Sequence, residues 1–263
     1  MLYINWQPSP EIFDLGFIAP RWYGLLFAAG FVLGYYLMKY IVKREGAKLE
    51  FDTCLMYIFI GTLVGARLGH CLFYEPEIYL HNPLAILKIW EGGLASHGAG
   101  IGMFVALWLF IRKYKTDTLW LFDRLVIMIA LGGFFIRMGN LMNSEIVGRP
   151  TNVAWGFVFR NLGEDFPRHP AQLYESIAYL SMGLLMLWLF FRTKAATYKG
   201  LLFGLGMVLI FAFRFFIEFT KDVQVDFERS MTLDMGQWLS IPFVVLGLIF
   251  IILSVKKHKY VEK

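Results

Sequence analysis

The sequence predicts an all-α polytopic membrane protein with about seven transmembrane helices, and three observations lead to that prediction. Hydrophobic residues make up 58% of the 263-residue chain and charged residues only 17%, whereas a soluble domain is nearer a quarter charged. Seven apolar stretches approach the roughly 20 residues that a helix needs to cross a bilayer. The loops between them alternate between basic and acidic. We therefore expect one transmembrane domain over residues 1–263, in which the net charge of +5 sets topology and does not indicate a nucleic-acid partner.

The predicted spans are separated by short polar segments. In chain order they cover Trp22–Val42, Cys54–Phe73, Gly98–Ile111 with a backward extension to Gly92, Leu119–Ile136, Leu173–Phe191, Leu201–Phe219 and Trp238–Val255. Before the first span, Met1–Pro20 is mildly acidic and contains three prolines, which predicts an irregular lead-in at the membrane surface. The first basic residue is Arg21, so no cleavable signal peptide is predicted.

Basic residues cluster after every second span. The clusters are Lys39, Lys43, Arg44 and Lys48; Arg112, Lys113 and Lys115; Arg192, Lys194 and Lys199; and Lys256, Lys257, Lys259 and Lys263. The intervening loops are rich in Asp and Glu. By the positive-inside rule, this alternation predicts an N-terminus outside and a C-terminus in the cytoplasm.

The longest segment outside the predicted spans is residues 140–172, which the same rule places on the outer face as a small insertion. Within it, Val153–Phe159 is apolar and predicts a short strand pair. Pro170 is typical of a helix start, so His169 is expected at the mouth of the fifth span.

Arginine is distributed differently from lysine. The four cytoplasmic clusters hold 14 of the 25 basic residues, and 11 of those 14 are Lys; nine of the other 11 are Arg. Topology needs only charge, whereas the planar guanidinium fork suits phosphate. This bias favours recognition of an anion within or outside the membrane. The alternative is that these Arg side chains extend to lipid headgroups without binding a specific ligand.

The stretch Phe134–Pro150 holds the densest set of polar side chains at the end of an apolar run. In a helix, Arg137, Asn140 and Ser144 would share one face by i+3 and i+4 spacing. An Arg fork and an amide that both donates and accepts are suited to a phosphate and its ester oxygens. The alternative is an ordinary polar helix end at the membrane interface.

Other polar groups interrupt the apolar spans. Arg214 and Glu218 are spaced i,i+4 with Lys221 nearby, and they form either an anion-binding group or an ion pair that holds helices together. His97 lies among small residues and is either a proton acceptor or a helix–helix hydrogen-bond donor. Arg67 and His70 are weaker candidates, and Tyr23 fits an aromatic belt.

Metal and nucleotide sites are not predicted. Cys54 and Cys71 lie alone in apolar runs, so buried thiols are expected in place of a disulfide or a zinc site. The sequence has no paired carboxylates at metal spacing, no Gly-rich phosphate loop and no nucleophile elbow. Four spans that each carry a cation or His fit an anionic lipid headgroup better, and no cofactor is expected.

The residues Gly133–Arg149 resemble the G-R-x-G-N-x-x-N-x-E-x-x-G-R motif of bacterial prolipoprotein diacylglyceryl transferases, with Phe135-Ile136 where a Gly commonly precedes the Arg. Further similar motifs are Trp22-Tyr23-Gly24, Gly65–Gly69, Gly92–Gly98, Arg168–Glu175, Arg214–Phe219 and Met235–Pro242. Seven spans with an outside N-terminus are also typical of this family. The motifs are specific because several of them occur in order along the whole chain.

The resemblance implies a reaction. The family transfers the diacylglyceryl group of phosphatidylglycerol to the lipobox cysteine of a prolipoprotein signal peptide, releases glycerol phosphate, and uses no metal or nucleotide. It implies catalytic roles for His97, Arg137 and Arg214. The expected substrate-binding residues are Tyr23, Asn140, Glu145, Glu218, Lys221, Arg67, His169 and Gln172. The expected location is the bacterial cytoplasmic (inner) membrane, with the site toward the outer leaflet and membrane lipids as neighbours.

Two departures from the family pattern stand out. The family often has Ser-Phe-His-Gly-Gly around its His, where this chain has Ala95-Ser96-His97-Gly98-Ala99. It commonly has an Arg where this chain has Lys221, so a fork is replaced by a point charge.

Two other functions remain open on the residues alone. One is a phospholipid or anion transporter, against which the sequence shows neither an internal repeat nor matched broken helices. The other is a structural membrane subunit.

Overall fold

The computed structural model describes residues 3–16, 19–88, 93, 95–222 and 231–261. Helices dominate these ranges: α1 (Trp22–Glu45), α2 (Phe51–Phe73), α3 (Pro76–His81), α4 (Ser96–Tyr114), α5 (Thr118–Met142), α6 (Ala171–Arg192), α7 (Leu201–Ile217) and α8 (Met235–Val261). Short 3-10 turns follow at Pro83–Leu87, Arg160–Leu162, Ala195–Thr197 and Glu218–Thr220. Two three-residue strands, β1 (Ile4–Trp6) and β2 (Phe157–Phe159), complete the described structure.

Six helices in the described ranges are long and apolar enough to cross a membrane, namely α1, α2, α5, α6, α7 with the turn that follows it, and α8. The predicted class, an all-α polytopic membrane protein, is confirmed. The third predicted span corresponds to α4, a 19-residue helix that is not among the six. Its polar first turn and the basic residues Arg112 and Lys113 lower its apolar content. Its predicted extension through Gly92 and Leu94 lies outside the described residues.

The chain forms two compact units, Lys39–Thr118 and the remainder, Met1–Met38 with Leu119–Lys263. In the smaller unit, α2 packs on α4 through glycines. A Cβ at Gly65 would lie 2.3 Å from the Gly98 carbonyl oxygen, and one at Gly102 would lie 2.1 Å from that of Gly61. Only glycine permits such close contact between the two helix backbones.

In the larger unit, α5, α6 and α7 also approach one another at glycines. A Cβ at Gly133 of α5 would lie 3.0 Å from the Tyr179 ring of α6, and one at Gly206 of α7 would lie 2.3 Å from Val126 Cγ2 of α5. Gly204 of α7 faces the Gly247 carbonyl of α8 in the same way. These contacts pack α6 and α7 against α5, and α8 against α7.

The segment between α5 and α6 differs from the predicted strand pair. Within Val153–Phe159 the structure has a single strand, β2, because Gly156 N–H donates to the Val153 carbonyl and turns the chain just before it. The partner of β2 is β1, which runs parallel to it, so Met1–Pro20 is not irregular throughout. Apolar burial explains this pairing, since the Trp6 and Phe157 rings lie 5.3 Å apart and Trp6 Nε1 donates to the Leu141 carbonyl at 2.9 Å.

Candidate functional site

A chain of hydrogen bonds joins the polar side chains at the end of α5. This helix continues six residues beyond its predicted end at Ile136, so Arg137 and Asn140 are one helical turn apart. Arg137 Nη1 donates to Asn140 Oδ1 at 3.3 Å, and Asn140 Nδ2 donates to Glu145 Oε2 at 3.2 Å. Asn143 Nδ2 donates to the other oxygen, Glu145 Oε1, at 3.1 Å. The two amides therefore orient both the Arg137 fork and the Glu145 carboxylate.

The turn after α5 has a strained backbone. Ser144 and Ile146 both have φ of +55°, a region that L-residues and β-branched residues in particular avoid. Because α5 ends at Met142, the predicted helical face shared by Arg137, Asn140 and Ser144 does not extend to Ser144. The buried Gln172 holds the turn by donating from Nε2 to the Glu145 backbone carbonyl. The strain is thus maintained by a contact from α6.

A buried ion-pair network connects α5, α6 and the end of α7. At its centre is Glu175 of α6, which is 1% exposed. Its Oε1 lies 3.0 Å from Lys221 Nζ, and its Oε2 lies 3.1 Å from Arg137 Nε. The latter contact is close but lacks hydrogen-bond alignment, since Glu175 Oε2 has no hydrogen-bond partner in the described part of the chain. Lys221 also lies 3.4 Å from Glu218 Oε2 and so bridges two carboxylates.

Arg214 is in a different situation. It is half-buried near the end of α7, and within the described ranges it makes no hydrogen bond or ion pair. Tyr179 of α6 lies close enough to interact electrostatically with both Arg137 and Arg214. The guanidinium of Arg214 therefore sits beside the network with its N–H donors available for an anion.

Two glycines allow functional candidates to pack closely against the backbone. A Cβ at Gly139, between Arg137 and Asn140, would lie 2.7 Å from Tyr23 Cδ2, so Tyr23 of α1 rests against the motif. A Cβ at Gly236 would lie 1.9 Å from Glu218 Oε1. A side chain at Gly236 would displace the Glu218 carboxylate.

The polar residues before α6 make contacts outside the membrane-spanning helices. Arg168 donates to both oxygens of Glu164 and to Asp222, and the Glu164 hydrogen bond raises the pKa of the Arg168 guanidinium. His169 lies just before α6, as predicted; its Nδ1 is 3.2 Å from the Tyr174 hydroxyl, and burial lowers its pKa. These contacts tie the segment between α5 and α6 to the end of α7.

The smaller unit carries the other two predicted residues. Arg67 of α2 is buried and donates to the carbonyls of Ala85 at 2.7 Å, Ile86 at 2.9 Å and Gly93 at 3.2 Å. His97 lies in the first turn of α4 with an exposed side chain. Ala95, two residues earlier, donates its N–H to the Ala66 carbonyl at 2.9 Å, which ties the start of α4 to α2.

The structure thus brings six predicted residues into one connected set in the larger unit: Arg137, Asn140, Glu145, Gln172, Glu218 and Lys221. Arg214 and Tyr23 lie against it, whereas His97 and Arg67 belong to the other unit. Sequence reasoning missed Glu175 and Tyr179. A signal existed, because Gln172, Glu175, Ser176 and Tyr179 form a polar stripe at i, i+3, i+4 and i+7 on an otherwise apolar helix.

No group of three or more His, Cys, Asp or Glu side chains suited to a metal ion occurs in the described ranges.

The chain is similar to known proteins along nearly its whole length. The family model described as prolipoprotein diacylglyceryl transferase matches residues 10–253. A protein from Tolumonas auensis named phosphatidylglycerol–prolipoprotein diacylglyceryl transferase is 53% identical over 254 residues, which cover 96% of this chain and 98% of that protein. Proteins of the same name from Chloroherpeton thalassium and Bacteroides fragilis are 45% and 44% identical, and each alignment covers at least 96% of both proteins.

Proposed function

The chain belongs to the prolipoprotein diacylglyceryl transferase family, and on that basis we propose that it transfers the sn-1,2-diacylglyceryl group of phosphatidylglycerol to the lipobox cysteine thiol of a prolipoprotein signal peptide. A thioether forms and glycerol phosphate is released, which is the first step of lipoprotein maturation. The enzyme works in the bacterial cytoplasmic membrane, with its N-terminus and residues 140–172 outside and its site toward the outer leaflet. The basic clusters on the opposite loops support this orientation.

The observation that carries the proposal is the contrast between two neighbouring guanidinium groups. Arg137 is held by Asn140 and Glu175, whereas Arg214 has no carboxylate partner in the described ranges. A cation left unpaired inside a membrane protein is unfavourable unless a ligand completes it. The phosphodiester of phosphatidylglycerol carries one negative charge and acceptor oxygens on both sides. It is the anion that such a pair would bind.

The residues then act as follows. The cysteine sulfur attacks the glyceryl carbon that bears the phosphoester oxygen; the new C–S bond forms as the C–O bond breaks, and its electron pair leaves on glycerol phosphate. Arg137 and Arg214 stabilise the second negative charge that develops on the departing phosphate. Asn140 and Glu145 hold the headgroup and the Arg137 fork, with Tyr23 in support.

The remaining members of the network position these groups. Glu175 and Glu218 share the Lys221 ammonium, which fixes α6 against the end of α7. Gln172 holds the Glu145 turn, and His169 contacts the Tyr174 hydroxyl in the first turn of α6. For Arg67 we propose a different role from headgroup binding, because three backbone carbonyls occupy its donors. It clamps the segment that precedes α4.

His97 is proposed as the acceptor of the thiol proton, and this role rests on the family resemblance. The thiolate is the nucleophile, so a neutral imidazole is suited to generate it. The test is the pH profile of kcat for His97→Gln. Loss of the acidic limb together with kcat would support a base, whereas an unchanged profile at reduced rate would reassign His97 to positioning.

The proposed function is tested with purified protein, phosphatidylglycerol and a lipobox peptide in detergent, by following glycerol phosphate release. Release should require the peptide and should vanish with a Cys→Ser peptide. Arg214→Ala should abolish it without lowering thermal stability, whereas Arg137→Ala should abolish it and also lower thermal stability, because it removes the buried contacts with Glu175 and Asn140. Absence of peptide-dependent release from the parent protein, at any lipid composition, would overturn the proposal. The transporter alternative has no support among the named relatives, and it predicts no covalent product.

A further inference from the structure

The N-terminal end of α5, remote from Arg137, carries a buried carboxylate that caps the start of another helix, α7. Asp123 is 0% exposed, and its Oδ2 accepts from Gly200 N–H at 2.7 Å while its Oδ1 accepts from Phe203 N–H at 2.8 Å. Gly200 is the N-cap of α7, with φ of +88° and no side-chain oxygen of its own. The free amides at a helix start need an acceptor, usually from the N-cap side chain. Here that acceptor comes from another helix.

The spacing from this cap to the two arginines is the same on both helices. Fourteen residues separate Asp123 from Arg137 along α5, and fourteen separate Gly200 from Arg214 along α7. Both stretches are helical without interruption, so each rises by about 21 Å. A cap that fixes Gly200 on Asp123 therefore also fixes where Arg214 lies along the helix axis relative to Arg137.

Contacts along the way support one fixed register. The Phe122 and Phe203 rings lie 5.1 Å apart beside the cap. One turn further, Gly206 of α7 admits Val126 of α5 at a distance that no Cβ would tolerate. At the other end, Tyr179 interacts with both arginines.

We propose that Asp123 is a positioning residue, which sets the axial register of α7 on α5 so that Arg137 and Arg214 reach one phosphate together. The proposal rests on the proposed function for the identity of that phosphate. The two hydrogen bonds that Asp123 accepts fix the start of α7 along its axis, because the donors are the amides of the N-cap residue Gly200 and of Phe203, the third residue of the helix. A slip by one residue would move Arg214 by about 1.5 Å, and an error of that size can lower a rate by about a hundredfold.

The register is measured directly by electron–electron double resonance. Spin labels are placed at Ile129 on α5 and Phe216 on α7, both exposed, after Cys54 and Cys71 have been replaced by serine. The parent should give one narrow distance distribution. Asp123→Ala should broaden or shift it, and Asp123→Asn, which keeps one acceptor oxygen, should give an intermediate result. An unchanged distribution in both variants would overturn the proposal.

Kinetics separates positioning from stability. The control is Leu121→Ala, which removes a fully buried side chain from the same turn of α5 but leaves the cap intact. Asp123→Ala should lose kcat by about tenfold or more at saturating lipid, while Leu121→Ala should keep it despite lower thermal stability. Equal loss of kcat in both would show that Asp123 only stabilises the fold. If Asp123→Ala does not fold, Asp123→Asn decides. Absence of glycerol phosphate release from the parent protein would overturn the proposed function. The distance measurement needs no turnover, so it would still test the register of α7 on α5.

Discussion

Arg67 in the smaller unit and Arg214 in the larger one look alike in the sequence, since each is an arginine within an apolar span. Their surroundings differ. Arg67 donates to three backbone carbonyls and lies 5.1 Å from the Tyr79 ring centroid. Arg214 has no hydrogen bond or ion pair in the described ranges. An intramembrane arginine is thus either part of the scaffold or available for a ligand, and its contacts decide which.

The largest expected effect is on turnover in Arg214→Gln. Removing one preorganised donor group from a developing oxyanion lowers a rate by about 10²–10³, so glycerol phosphate release should fall by about a thousandfold. The melting temperature should stay unchanged or rise, because no protein partner of Arg214 is lost. A fall in stability that accounts for the lost activity would make Arg214 a scaffold residue like Arg67.

Glu175→Gln should strongly destabilise the larger unit. It leaves Lys221 and Arg137 without the carboxylate they share, and breaking a buried ion pair costs about 3–5 kcal/mol. The matched control is Glu11→Gln. Glu11 Oε1 lies 3.4 Å from Arg21 Nε in a partly exposed ion pair, and such a pair is worth about 0–1 kcal/mol. Thermal or denaturant unfolding of the two variants compares them. Equal, small effects would contradict a network that supports Arg137.

Arg67→Gln should lower stability more than turnover, which is the converse of Arg214→Gln. Several carbonyls lose a charged donor, and each such hydrogen bond is worth about 1.5–3 kcal/mol. Unfolding curves and kcat per folded molecule check this. If kcat falls while the melting temperature holds, Arg67 touches the substrate and the contrast with Arg214 fails.

Gly65→Ala should weaken the contact between α2 and α4. Its Cβ would lie 2.3 Å from the Gly98 oxygen, whereas a Cβ at Gly100 would meet nothing within 4 Å. Overpacking of this kind costs about 1–3 kcal/mol, so Gly65→Ala should melt earlier and Gly100→Ala should melt like the parent. Similar melting of both variants would mean that the helix backbones do not touch.

The smallest effect concerns pH. Burial lowers the pKa of His169 in the folded protein. As the pH falls, the unfolded chain therefore binds a proton at this histidine first, at about pH 6.5. This histidine therefore favours the folded state above that pH, and the free energy of unfolding should fall as the pH drops through it. Melting curves from pH 8 to pH 5.5 should show a smaller decrease for His169→Gln than for the parent. A larger decrease in melting temperature for the variant than for the parent would mean that folding raises the pKa of His169.

The sequence predicted the class, most of the spans and the placement of Arg137 and Asn140 on one helical face, because apolar length and helical spacing are local properties. It did not reveal Glu175 as the centre of the network, since its partners Arg137 and Lys221 lie far away in the chain. The pairing of β2 with β1 was missed for the same reason. The role of Arg67 could not be predicted either, because backbone carbonyls leave no trace in side-chain patterns.

The central claim is that Arg214 is left open for the phosphate of phosphatidylglycerol. The most direct measurement is equilibrium binding of a short-chain phosphatidylglycerol, without peptide, to the parent, Arg214→Gln and Arg67→Gln at equal folded concentration. We expect Arg214→Gln to bind at least about tenfold more weakly, since a charge-assisted hydrogen bond is worth about 1.5–3 kcal/mol. Arg67→Gln should bind like the parent. Unchanged affinity in Arg214→Gln, or loss only in Arg67→Gln, would contradict the account.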